Sequence, residues 1–181
     1  MTRLNLIEIP EANEQATELL NAVKKKLGIV PNMTKAMANA PVVLEGYLGL
    51  SGAIGSGTLS PRLREQIALL SAESNGCRYC LSAHSAIGKS VGLSQDEINN
   101  ARQGEAADPR EAAGLEFAKA ILAERGGVSE SDFDAARQAG YSDSEITEII
   151  GNVVVNVFTN YFNRAAQPII DFPEVEPACA C

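Results

Sequence analysis

The chain has 181 residues, 45% hydrophobic and 21% charged, so it can form one domain with a sizeable core. Its net charge of −8, without a basic stripe, argues against nucleic acid and anionic membrane as partners. Tryptophan is absent and aromatic residues are few, so the core must be mostly Ala, Leu, Ile and Val, which favours helix-on-helix packing.

Start and stop signals divide the chain into a succession of helices. Gly or Pro closes each apolar stripe, and Ser, Asn or Asp stands where a helix N-cap is expected. Capping boxes are predicted at Ser94–Glu97, Asp108–Glu111 and Ser142–Glu145. The predicted helices cover residues 11–27, 33–40, 42–54, 61–75 and 77–91, then begin after Ser94 and Asp108, and finally cover 130–139 and 142–167.

Two of these helices have unusual compositions. Gly46, Gly49 and Gly52 fall three apart in the third helix, where they are predicted to mark close contacts with another helix. The sequence GNVVVNVF, residues 151–158, is rich in valine but has no flanking turn residues, so it is predicted as buried helix rather than strand.

The pattern as a whole predicts a single all-α domain, a bundle of about seven to nine helices. This domain takes up residues 1–168, with its core in about 32–167. The remaining residues, 169–181, contain prolines and acids and predict an extended, partly mobile tail. Neither a signal peptide nor a run of 18 apolar residues is recognised, so a cytoplasmic protein without a membrane partner is expected.

Four chemically distinct residues share the 20-residue stretch EQIALLSAESNGCRYCLSAH. They are Glu65, Cys77, Cys80 and His84, and His84 is the only histidine of the chain. Helical positions three and four apart project from one face, so the two thiols and the imidazole are predicted to lie together. A thiol pair with its own base and a carboxylate indicates thiol redox chemistry.

The residues themselves leave open which thiol is the more acidic. Cys77 is predicted at a helix N-terminus, where free N–H groups and the helix dipole stabilise a thiolate. The spacing favours Cys80 instead, because His84 one turn along can accept its proton. Glu65 belongs to the preceding helix, and its carboxylate can orient His84 if the two helices pack antiparallel.

This pattern resembles the alkyl hydroperoxidase D (AhpD) branch of the carboxymuconolactone decarboxylase superfamily. The family pattern is Glu, eleven residues, Cys, two residues, Cys, three residues, His, and Glu65, Cys77, Cys80 and His84 match it position by position. A looser helical resemblance extends from Asn32 to Gln167.

The resemblance implies an AhpD-like fold, homo-oligomers and a thiol-dependent peroxidase, that is, peroxiredoxin activity on hydroperoxides without a cofactor or metal. It implies an external dithiol reductant, such as a lipoyl-bearing or thioredoxin-like protein. In the family the second cysteine attacks the peroxide and the more exposed first one resolves, which assigns these roles to Cys80 and Cys77. Tyr79 replaces a histidine of well-characterised members, so it is either a proton relay or a packing residue.

Other interpretations of the four residues stay open at this point. They could bind zinc, or the cysteines could be buried hydrophobes beside a core histidine. His84 and Glu65 could serve as acid and base in a carboxymuconolactone decarboxylase-like enzyme. The thiol pair could also form a redox sensor without turnover.

Two further groups of residues have alternative roles. Cys179 and Cys181 are either accidental cysteines of an unconstrained tail or a dithiol that reduces the Cys77–Cys80 disulfide. Four asparagines of the last helix form a polar stripe that either faces the active site or bonds helix to helix; they are Asn152, Asn156, Asn160 and Asn163.

Overall fold

The computed structural model describes residues 2–178, and within that range it contains nine α-helices and no strand. The prediction of an all-α, single-domain bundle is therefore confirmed. The helices are α1 (Glu14–Leu27), α2 (Asn32–Met37), α3 (Pro41–Gly55), α4 (Pro61–Ser74), α5 (Arg78–Ser90), α6 (Gln95–Gln103), α7 (Pro109–Ala123), α8 (Glu130–Gln138) and α9 (Asp143–Ala166).

Side-chain caps set most helix starts, as the sequence predicts. Ser94 and Ser142 form complete capping boxes, whereas Asp108 caps α7 without the reciprocal bond from Glu111. The predicted start of the first helix is wrong. Residues Ile9–Glu11 form a separate 3-10 turn, and α1 begins only after Asn13, whose side chain accepts from the Ala16 N–H.

Helix α4 is the centre of the fold and packs against α5, α6, α7 and α9. Its Ile67 and Leu69 are fully buried and belong to two different clusters. One cluster joins α4 to α7 and α9, and the other joins it to α5 and α6. A third cluster fastens α1 to α2 and α3. The valine-rich segment lies within α9, as predicted.

The prediction that Gly46, Gly49 and Gly52 mark close helix contacts is wrong for the described residues. A methyl group at any of the three would meet no atom within 4 Å beyond its own helix. The neighbouring apolar residues Val42 and Leu50 are exposed as well. The homo-oligomer that the family resemblance implies remains a prediction.

After α9, residues 168–178 run without regular secondary structure across the start of α5. We call these residues the C-terminal segment. Three of its apolar side chains, Ile170, Phe172 and Val175, pack against the cluster that contains both cysteines of α5. In residues 2–178, no helix is long and apolar enough to cross a membrane.

Glu148 of α9 accepts hydrogen bonds from the loop between α3 and α4. Its carboxylate accepts from the backbone N–H groups of Thr58 and Leu59, at 2.8 and 3.0 Å, and from the Thr58 hydroxyl. Burial alone would raise the pKa of Glu148, but these donors outweigh it and hold the pKa below its usual value.

We predict that Glu148→Gln lowers the free energy of unfolding by about 1–2 kcal/mol at neutral pH, because charged acceptors bond more strongly than neutral ones. A carboxylate with a lowered folded-state pKa stabilises the fold above its unfolded pKa of about 4.3 and loses that effect as pH falls through the folded value. Urea unfolding at several pH values measures the difference.

The control is Glu116→Gln, at an exposed position of α7. An E148Q protein whose unfolding free energy equals that of wild type at neutral pH would contradict the prediction. A stability difference that does not shrink on acidification would do so too.

Candidate functional site

The carboxylate of Glu65 and the imidazole of His84 form the first half of the site. Glu65 Oε2 lies 2.8 Å from His84 Nδ1, and both side chains are about one-fifth exposed, 17% and 21%. A turn of only three residues joins α4 to α5, and Gly76 in it has a φ of 59°, which suits glycine. Because α5 folds back on α4, residues nineteen apart in sequence meet.

The two cysteines form the second half of the site. A disulfide joins Cys77 to Cys80, whose Cα atoms are 5.3 Å apart. Cys77 is the N-cap of α5, as predicted, and the Cys80 N–H donates to Cys77 Sγ at 3.2 Å. The expected greater exposure of Cys77 is not found, since Cys77 is 1% exposed and Cys80 3%.

The four predicted site residues thus form two bonded pairs on two adjacent helices. Cys80 and His84 are four residues apart in α5, so they project from the same face of that helix. The structure joins Glu65 to His84 directly and Cys77 to Cys80 directly. It therefore brings the carboxylate to the imidazole, and Cys80 of the disulfide lies one helical turn before that imidazole in α5.

Asn163 of α9 is a site residue that the sequence analysis did not single out. Its Nδ2 donates to Cys80 Sγ at 3.3 Å and lies 3.1 Å from Met33 Sδ. The side chain is 4% exposed, and its Oδ1 has no hydrogen-bond partner among the described residues. In the sequence, the polar stripe of α9 was the only feature that pointed to Asn163. In the structure, the four asparagines of that stripe have different partners.

The other asparagines of the stripe bond elsewhere. Asn160 accepts from Asn75 of the α4–α5 turn at 3.0 Å, so this residue alone bonds α9 to the end of α4, and a helix-to-helix seam along the stripe is not formed by the described residues. Asn152 and Asn156 donate to backbone carbonyls within α9. Only the last residue of the stripe contacts a reactive sulfur.

Tyr79, the candidate relay, is buried among structural partners. Its hydroxyl donates to Asp171 of the C-terminal segment at 2.7 Å and accepts from the Met33 N–H at 3.1 Å. Burial raises the pKa of the Tyr79 hydroxyl, and the bond to Asp171 raises it further. These contacts give Tyr79 a packing role, and a relay role remains a prediction.

Tyr47 of α3 is a second residue near the site that sequence reasoning missed. Burial raises the pKa of its hydroxyl, a hydrogen bond with Ser51 lowers it, and the nearby Glu65 carboxylate raises it. The ring stacks on Phe158 of α9, with centroids 6.3 Å apart. Tyr47 therefore lies close enough to Glu65 to feel the charge of its carboxylate.

The C-terminal segment covers the cysteine side of the site. Phe172 meets the Tyr79 ring edge-on at 5.8 Å, and the Val175 N–H donates to Ser82 of α5 at 3.0 Å. Cys179 and Cys181 lie outside the described residues. Within the described part of the chain, no group of three or more His, Cys, Asp or Glu side chains is arranged to hold a metal ion.

The model of the carboxymuconolactone decarboxylase family matches residues 41–120, a range that contains all four predicted site residues. No curated protein matches the chain significantly. A solved peroxidase-related protein from Ralstonia eutropha JMP134, an alkylhydroperoxidase AhpD core, is 23% identical, with a TM-score of 0.85 over 94% of this chain and 92% of that one.

Two further solved structures share the fold. A peroxidase-related protein from Silicibacter sp. TM1040 is 25% identical, with a TM-score of 0.82 over 93% of this chain and 91% of its own. The debrominase Bmp8, in a cysteine-to-alanine variant bound to 2,3,4-tribromopyrrole, is 23% identical, with a TM-score of 0.74 over 87% of this chain and 86% of its own.

The family match falls on the helices that carry the site, and the solved structures reproduce the fold along nearly the whole chain. Residues 41–120 are thus similar to the carboxymuconolactone decarboxylase family, and the chain has the fold of the solved AhpD-like structures.

Proposed function

We propose that this protein is a thiol-dependent peroxidase that reduces hydroperoxides through a Cys77–Cys80 dithiol/disulfide cycle. The observation that carries the proposal is a disulfide on the same helix face as an imidazole that is held by a carboxylate. A pair of cysteines that closes within one helical turn can be oxidised and reduced without a large backbone change.

The contact between Glu65 and His84 determines which ring nitrogen is available. An ionised carboxylate only accepts hydrogen bonds, so the proton of this contact belongs to His84 Nδ1. In the neutral imidazole, Nε2 is then the nitrogen that can accept a proton. Since Cys80 precedes His84 by one turn on the same face, its thiol is the proton source we assign.

The proposed cycle balances in three steps. The Cys80 thiolate attacks the terminal oxygen of ROOH, an S–O bond forms as O–O breaks, and the alkoxide leaves as ROH with a proton from His84. The Cys77 thiol then attacks the sulfenic acid, which forms the disulfide and releases water. A dithiol reductant returns two electrons and becomes a disulfide itself.

The external reductant belongs to the proposal. The protein must receive two electrons per turnover, and we assign them to a dithiol of the lipoyl or thioredoxin-like class. The acid–base alternative also has a specific observation in its favour, because the Glu65–His84 pair is intact while both sulfurs are buried. The debrominase Bmp8 further indicates that proteins of this fold act on substrates other than hydroperoxides.

The first test locates the oxidised sulfur. In a C179S/C181S background, which removes the two other cysteines, we predict that Cys77→Ser forms a stable sulfenic acid on Cys80 after one equivalent of hydroperoxide, because the resolving thiol is gone. Cys80→Ser should react only at the rate of an ordinary thiol. Mass spectrometry of trapped peptides measures both.

The double variant C77S/C80S separates the alternatives. In the same C179S/C181S background, hydroperoxide consumption by this variant, or a sulfenic acid that forms on Cys77 in C80S faster than on an ordinary thiol, would contradict the proposed cycle. Retained turnover of another substrate would favour the acid–base enzyme. Oxidation that changes only the oligomer size would favour the redox sensor.

The second test concerns the carboxylate. We predict that Glu65→Gln lowers the rate of Cys80 oxidation by about 100-fold or more, because an amide no longer fixes the imidazole tautomer or stabilises its charged form. Stopped-flow measurement of the reduced protein with excess hydroperoxide gives this rate.

The matched control is Glu105→Gln, an exposed carboxylate in the turn after α6. If E65Q retains a normal melting temperature and a wild-type oxidation rate, Glu65 has no role in the reaction.

A further inference from the structure

Asn163 of α9 donates a hydrogen bond to the sulfur of Cys80. Its amide N–H lies 3.3 Å from Cys80 Sγ, in a side chain that is 4% exposed. A buried N–H donor favours a charged sulfur over a neutral one, because the thiolate is much the stronger acceptor. Cys77 Sγ also receives an N–H, that of the Cys80 backbone at 3.2 Å, so the donor to Cys80 differs in coming from a side chain of another helix.

We propose that Asn163 is the side-chain donor that stabilises the Cys80 thiolate for its attack on the hydroperoxide. This inference rests on the proposed peroxidase function and adds a catalytic residue to it. The unpartnered Oδ1 of the same amide is buried beside the sulfur and lacks a donor among the described residues. The O–H of a hydroperoxide bound at Cys80 would supply that donor, which suits a hydroperoxide better than a dialkyl peroxide.

The test is a titration of the Cys80 thiolate by its ultraviolet absorbance in a C77S/C179S/C181S background, where Cys80 is the only thiol. We expect Asn163→Leu, which is nearly isosteric, to raise the Cys80 pKa by about one to two units, the value of a lost charge-assisted hydrogen bond. The other titratable groups on the surrounding elements, Tyr79, His84, Glu65 and Asp171, are unchanged in this variant.

Asn156→Leu is the matched control, because Asn156 is also buried in α9 but bonds to a backbone carbonyl. Circular dichroism verifies folding, and Asn163→Ala replaces N163L if the leucine does not fit. A folded variant with the wild-type Cys80 pKa overturns the inference. Because the titration uses no peroxide, its failure would leave the proposed function standing.

A second inference concerns access to the disulfide. Polar contacts hold the C-terminal segment in place. Asp171 accepts hydrogen bonds from the Tyr79 hydroxyl of α5 and from the Asn32 N–H of α2. Arg78 of α5 forms ion pairs with Glu174 and Glu176. Between these anchors, the apolar side chains lie on the cluster that contains Cys77 and Cys80.

We infer that the C-terminal segment is a strap that shields the Cys77–Cys80 disulfide and must lift before an external dithiol can react. For reduction, the thiolate of the reductant attacks Cys77 Sγ, the S–S bond breaks, and Cys80 leaves as a thiolate. The second thiol of the reductant then attacks the mixed disulfide and releases Cys77. Attack needs a line of approach to a sulfur that is now 1% exposed.

The anchors suggest that the strap opens readily. The Arg78 side chain is 47% exposed, and exposed ion pairs contribute little and are screened by salt. The hydrogen bonds of Asp171 and the apolar contacts of Phe172 and Val175 are then the main restraints. Their loss should uncover the disulfide without disturbing the helices.

The test is the rate at which dithiothreitol reduces the disulfide of the oxidised protein. The full-length proteins carry C179S/C181S, so that they and the truncated protein contain the same two cysteines. We expect Phe172→Ala, and truncation after Gln167, to accelerate reduction about tenfold or more. Ile169→Ala, at an exposed position of the same segment, is the control.

A folded truncated protein that is reduced at the rate of the full chain would overturn the strap. Since dithiothreitol reduction requires no peroxide, the measurement is independent of the proposed peroxidase activity.

Discussion

The contact between Glu65 Oε2 and His84 Nδ1, 2.8 Å long, is the interaction on which the rest of the site depends. It crosses from α4 to α5 and fixes both the rotation of the imidazole and the nitrogen that carries its proton. The three-residue turn between the helices makes it geometrically possible. The same turn places Cys77 at the start of α5, so one local fold orders the base and the thiol pair together.

Cys77 and Cys80 are buried, whereas the cysteines of an exposed redox pair are in contact with solvent. Cys80 contacts α9 through Asn163, and the C-terminal segment packs against the cluster that contains both cysteines. A buried sulfur needs compensating donors before it can carry charge, and the site offers an amide N–H and an imidazole for that purpose. In the proposed cycle, the same enclosure would protect the thiolate from indiscriminate oxidation and would require an opening step before the reductant can react.

The sequence predicted what is local and missed what depends on tertiary packing. Caps such as Ser94 and Ser142 mark helix starts, and the spacing from Glu65 to His84 implies their meeting once α4 and α5 are antiparallel. Asn163 could not be selected among four similar asparagines, because only the packing of α9 determines which one reaches Cys80. The prediction from the glycines of α3 was wrong for the same reason. Glycines spaced three apart allow a close approach only where another helix lies against them.

The central claim is that Cys80 reacts with hydroperoxide as a thiolate maintained by its surroundings. The most direct measurement is the second-order rate of hydroperoxide reaction with the fully reduced protein as a function of pH. The account predicts a rate that rises with a midpoint clearly below the value of about 8.5 for an ordinary cysteine, together with the thiolate absorbance. A rate that follows the ordinary thiol midpoint, or no reaction beyond that of free cysteine, would contradict it.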